Sequence, residues 1–173
     1  MAWFFDQIRT KFITMNKIFL IGIFSMFLAV SCAGPKSVVD SEKIMRGDWT
    51  ITNVSIDGIN QSYVDAKVFD EADSKCYNGS QWHLVQNNNT GTYTLNGSGN
   101  CPSGTTKIKW FVTDEGGNMY FNFKKVYEGE KPKNVLDGYK LKITNNSGSF
   151  MVLRQDISFE GKIIGINYTF TKN

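Results

Sequence analysis

From Asp48 onward, apolar residues recur at every second position in short runs, and clusters of Gly, Asn, Asp and Ser separate those runs. Period two with turn-forming punctuation is the pattern of antiparallel strands. Eight strands are predicted. The first, Trp49 to Ile56, places Trp49 and Ile51 on one face but Val54 and Ile56 on the other, which calls for a bulge near Asn53. Gln81 to Gln86 points Trp82 and Leu84 inward, and the turn Asn87-Asn88-Asn89 leads to Thr90 to Leu95, with Tyr93 and Leu95 inward. Thr106 to Thr113 alternates Ile108, Trp110 and Val112 with Lys107, Lys109 and Phe111, and Met119 to Phe123 puts Met119, Phe121 and Phe123 on one face. The remaining strands are Leu136 to Thr144 with Tyr139, Leu141 and Ile143, then Phe150 to Arg154, then Lys162 to Thr171 with Ile164, Ile166, Tyr168 and Phe170.

Most connections are two to five residues long, so successive strands should be hydrogen-bonded neighbours. Closing such a meander on itself removes its exposed edges. The expected fold is therefore all-β, an eight-stranded antiparallel up-and-down barrel. Ser62-Tyr63-Val64-Asp65 ahead of Val64, Val68, Phe69 and Ala72 suggests one or two helical turns between the first two strands. Lys124 to Asn134 reads as a solvated loop.

The 173 residues, 41% hydrophobic and 14% aromatic, suffice for one substantial core. Of the formal charge of +3, Arg9, Lys11 and Lys17 against Asp6 supply +2, so the rest of the chain is nearly neutral. A nearly neutral domain is a poor nucleic-acid binder, and no nucleic-acid partner or cofactor is expected. The single His, His83, falls on an outward strand position and reads as a surface residue. G-x-S-x-G and H-E-x-x-H are absent, so no catalytic residue and no metal site is assigned and the protein is not read as an enzyme. Asp70, Glu71 and Asp73 read as a solvated charge cluster, and Asn78-Gly79-Ser80 as turn chemistry.

Met15-Asn16-Lys17 and the apolar run Ile18 to Val30 form the short basic and apolar regions of a secretory signal, with Met15 the expected start. The run ends in Leu28-Ala29-Val30-Ser31-Cys32, which resembles the lipobox of bacterial lipoproteins. That resemblance implies cleavage after Ser31, acylation of Cys32, and a membrane partner reached through this N-terminal acyl anchor. It divides the chain into a signal at residues 1–31, a lipidated tether at 32–43 and a barrel domain at 44–173. A bacterial cell-envelope location follows, and the lack of Asp after the Cys favours the outer membrane. Cys76 and Cys101 remain as thiols of an exported chain, for which a disulfide is the simple reading. A reactive or metal-binding pair would lack the C-x-x-C spacing.

Gly47-Asp48-Trp49 resembles the G-x-W signature of lipocalins. Together with the lipobox, the two cysteines, Trp110 and the terminal Gly161-x-x-x-Gly165-x-x-Tyr168-x-Phe170 run, it is similar to the lipocalin-like domain of small bacterial lipoproteins. The resemblance implies that Gly47 and Trp49 close one end of the barrel and that Arg154 lies across the Trp49 ring. The inward Trp82, Tyr93, Trp110, Phe121, Tyr139 and Tyr168, with Tyr63 and Phe69 at the mouth, are candidates to line a site for a small apolar or amphipathic ligand. The same rings could instead fill the barrel, leaving a structural or interaction lipoprotein that engages a protein or envelope glycan. A monomer is expected.

Overall fold

The computed structural model describes residues 36–57, 66–134, 138–159 and 161–173. The expected signal peptide, Cys32, Tyr63 and the start of the sixth predicted strand lie outside the described residues.

Helix α1 (Lys36–Met45) leads into β1 (Gly47–Asp57). A two-stranded hairpin follows, β2 (Lys67–Val68) and β3 (Ala72–Asp73), and then a 3₁₀ turn at Ser74–Tyr77. The remaining strands are β4 (Gln81–Val85), β5 (Thr90–Asn96), β6 (Ser103–Glu115), β7 (Asn118–Val126), β8 (Tyr139–Asn146), β9 (Phe150–Phe159) and β10 (Lys162–Lys172). β4 to β10 form an antiparallel meander, and β1 pairs with both β4 and β10 to close an eight-stranded barrel. The expected fold class is observed.

The predicted bulge is present. The β1–β10 register shifts between Ile51 and Asn53, which turns Trp49, Ile51 and Val54 all inward. The alternating residues of the other strands also point inward, so Leu84, Tyr93, Ile108, Trp110, Phe121, Phe123, Leu141, Leu153, Ile166 and Tyr168 are buried in one core.

Three expectations need correction. The helix stands before the first strand, over residues expected to be a tether. Its Val38, Glu42 and Met45 fall at i, i+4 and i+7 and present one stripe to the barrel. Residues 66–73, expected to be helical, form the β2–β3 hairpin instead, because Val68 and Ala72 pair across a three-residue turn. Lys124 to Val126 belong to β7 rather than to a solvated loop, and Lys125 continues the inward series of Phe121 and Phe123.

Candidate functional site

The barrel has two ends. At the one where β1 begins, α1 packs against β6 and β8. Met45 and Trp49 are fully buried there, and the Trp49 indole donates to the Met45 carbonyl at 2.7 Å. The Glu42 carboxylate accepts from the Val112 amide at 3.1 Å and from the Asn89 side chain at 3.3 Å, which ties the helix to β6 and to the β4–β5 turn.

At this end the expected partner of Trp49 is corrected. Lys172, directly across β1 from Trp49, holds its ammonium 5.1 Å from the indole ring centre. Gly47 makes this approach possible: its φ is +118°, and a Cβ there would stand 3.1 Å from Lys172 Cε. Arg154 lies elsewhere because it pairs with Asn167, which is level with Ser55 near the far end of β1. Its guanidinium lies over Gly165, where a Cβ would overlap it at about 2.0 Å, and binds Asp57 on one side and Asp156 on the other. Hydrogen bonds from Asn167 and Arg154 hold the Asp57 carboxyl below its usual range, and the bond to Asp57 raises Arg154 further.

At the opposite end, the β2–β3 hairpin carries its turn into the barrel mouth. Glu71 N donates to Val68 O at 3.1 Å, and Phe69 and Asp70 have φ of +51° and +50°. Both are in the left-handed region, which L residues occupy at a cost of about 1 kcal/mol each, and a Phe there is an outlier. The neighbours enforce it. The Phe69 ring is buried among Tyr77, Phe123, Tyr139 and Tyr168, with centroid separations of 5.1, 5.0, 5.1 and 5.5 Å.

Polar bonds hold the same turn. Lys125, only 7% exposed, donates to the Phe69 carbonyl at 2.7 Å and stands 3.6 Å from the Glu71 carboxylate. Glu71 also accepts from the hydroxyls of Tyr77, at 3.2 Å, and Tyr93, while Tyr139 donates to Asp70 at 2.9 Å. Burial pushes the Tyr77, Tyr93 and Tyr139 phenols well above their ordinary range, so they remain neutral donors near neutral pH. The Cys76–Cys101 disulfide is formed, with Cα atoms 5.4 Å apart, and ties the 3₁₀ turn after the hairpin to the β5–β6 loop. An open groove of ≈ 810 Å³ runs beside it, between Lys67, Asp73 and Lys75 on one side and Asn96 to Pro102 on the other.

Of the candidate ligand-lining residues, Phe69, Trp82, Tyr93, Trp110, Phe121 and Tyr168 are buried and Tyr139 is half-buried. They meet, but through rings that the sequence reading did not single out. Phe123 joins Phe121, Trp82, Tyr139 and Phe69, and Tyr77 joins Phe69, Tyr93 and Tyr168. Trp82 stacks on Tyr93 at 4.8 Å, and the Trp110 indole donates to the Thr90 carbonyl at 2.8 Å. The faces and edges offered to a ligand are thus largely taken by neighbouring rings. Glu71 is corrected from a solvated charge to the acceptor at the centre of the mouth. His83 is exposed as expected, 2.6 Å from Asp48. Among the described residues, no group of three or more His, Cys, Asp or Glu is placed to hold a metal ion.

No family model matches this chain, and no curated protein matches it either.

Proposed function

We propose that this chain is a lipocalin-like cell-envelope lipoprotein, acyl-anchored through Cys32 in the outer membrane, whose filled barrel is a non-enzymatic interaction module for a protein or envelope glycan. The observation that carries the reading is Phe69, buried among Tyr77, Phe123, Tyr139 and Tyr168 at the mouth where a ligand would enter. A core packed ring against ring gives up contact energy if a guest displaces it, whereas the outer wall is free to differ from one such barrel to the next. The anchor rests on the Leu28 to Cys32 motif, and mass spectrometry of the membrane-extracted protein should find an acylated Cys32 at the mature N-terminus.

A second reading keeps the mouth as a site for a small apolar or amphipathic ligand, with the β2–β3 hairpin as a plug that withdraws. What favours it is the left-handed backbone of Phe69 and Asp70, since strain of this kind collects at parts that move or bind. Indole fluorescence separates the two. Titration with fatty acids and with flat polycyclic compounds should leave Trp82 and Trp110 emission unchanged if the barrel is an interaction module. A saturable change that disappears in Phe69→Trp, which fills the mouth further, would transfer the function to the interior.

A further inference from the structure

The outer wall of the barrel is electrically lopsided. β6, β7 and β8 carry six lysines, of which Lys125 points inward and Lys107, Lys109, Lys124, Lys140 and Lys142 occupy outward positions. Against them these strands hold two acids, Asp114 and Glu115, side by side at the β6–β7 turn. On the other side of the barrel, β9, β10 and β1 balance Arg154, Lys162 and Lys172 against Asp48, Asp57 and Asp156.

The basic wall also breaks a pairing rule. Lys109 stands directly across from Lys124 on the same face, and like charges so placed destabilise a sheet. Lys109 donates to the Asn88 carbonyl. Lys140 meets Glu115 at 2.6 Å and lies 4.3 Å from the Tyr120 ring centre.

A depression of ≈ 280 Å³ opens in this wall, bordered by Phe111, Asn122, Lys124, Gly138, Tyr139 and Lys140. Phe111 is 48% exposed at its edge, and Gly138 keeps the floor low because it has no side chain. An exposed ring, a side-chain amide and two lysine side chains bordering one shallow hollow suit a sugar ring that bears a carboxylate, which would compete with Glu115 for Lys140. The neighbouring Lys109 and Lys142 continue the positive charge along the wall, where further units of a chain would lie.

We infer that the β6–β8 wall binds a linear acidic polysaccharide, with one uronate unit in the depression at Phe111 and its neighbours in the chain against Lys109 and Lys142. This rests on the interaction-module reading and names its surface and partner. A polyanion bound by several ammonium groups releases its counterions, so affinity must fall steeply with salt. The stacking of a sugar on Phe111 is less sensitive to salt, and it separates a glycan site from a generic positive patch.

The test uses the soluble mature domain and polygalacturonate as probe, with neutral dextran, duplex DNA and phosphatidylglycerol vesicles alongside. Polygalacturonate should bind saturably and dextran should not. Lys109→Gln with Lys124→Gln should weaken binding at least tenfold and flatten its salt dependence, and Phe111→Ala should weaken it at least fivefold with the salt dependence kept. All three positions are on the outer wall, and an unchanged melting curve will verify that the variants are folded. Binding indifferent to Phe111→Ala, or equally tight to DNA or to the vesicles, would overturn the proposal in favour of nonspecific anion attraction. Absence of polygalacturonate binding would overturn it outright while leaving the interaction-module reading intact, since that reading falls only to the indole titration.

Discussion

Where β1 begins, Trp49 and Met45 close the barrel with buried apolar surface, and Glu42 secures the helix by accepting a backbone amide of β6. Where β1 ends, closure depends on a turn with two residues in left-handed conformation, whose Phe69 ring is held by ring edges and whose Phe69 carbonyl is held by the ammonium of Lys125. The first closure costs little once the chain is folded and has nowhere to go. The second opposes its own backbone preference and is fastened by polar bonds and a disulfide. Two ends of one barrel thus differ in the work needed to open them, and local opening should be confined to the hairpin end.

The difference can be pushed hardest at the apolar end. Trp49→Ala should destabilise the domain by about 3 to 5 kcal/mol, because it removes a fully buried indole together with its bond to Met45. Chemical denaturation measures this, and a loss below about 0.5 kcal/mol would mean that Trp49 does not close this end. At the other end, replacing Cys76 and Cys101 together with Ala should cost about 3.5 kcal/mol on the chain-entropy account of a 25-residue separation. Hydrogen exchange should then accelerate in β2, β3 and the 3₁₀ turn before it does in α1 and β1. Uniform acceleration across both ends would erase the distinction.

A smaller effect is expected from Lys125→Met, about 1 to 3 kcal/mol, since it leaves the Phe69 carbonyl without its buried donor and Glu71 without its ion-pair partner. Adding Glu71→Gln should recover part of that loss in a double-mutant cycle, and strict additivity would show that the two side chains do not act together. The smallest effect belongs to the exposed Arg154 ladder. Asp57→Asn should change stability by no more than about 0.5 kcal/mol near neutral pH. Asp57 has its carboxyl held below the ordinary value of 3.8, so its contribution is present above that value and fades as pH falls through the lower folded one. Melting curves taken down to about pH 2 should therefore converge for the variant and the parent protein.

The strands were legible because a barrel with one filled interior imposes period two on every strand, and even the bulge at Asn53 is written in the displaced phase of Val54. The mouth was much less legible. Its turn uses Phe69 and Asp70 where Asn-Gly is the usual signal, so a hairpin passes for a charged, partly apolar helix. Lys125 could have been found, since it keeps the alternation of Phe121 and Phe123, but an ammonium in an inward series looks like the end of a strand until Glu71 is placed beside it. Lys172 was overlooked for the opposite reason. It is outside any motif, and pairing across 123 residues is what brings it to Trp49.

That long pairing has a kinetic consequence. Every seam from β4 to β10 joins strands adjacent in sequence and can zip from a nearby turn, whereas the β1–β10 seam joins Trp49 to Lys172. Loop-closure entropy delays contacts of such separation. The seven-stranded meander should therefore assemble first as an open, curled sheet, with the edges of β4 and β10 unsatisfied until β1 slots between them. During that interval the chain is most exposed to edge-to-edge association with another copy, and refolding yield should fall as protein concentration rises even though the finished barrel offers no free edge along that seam.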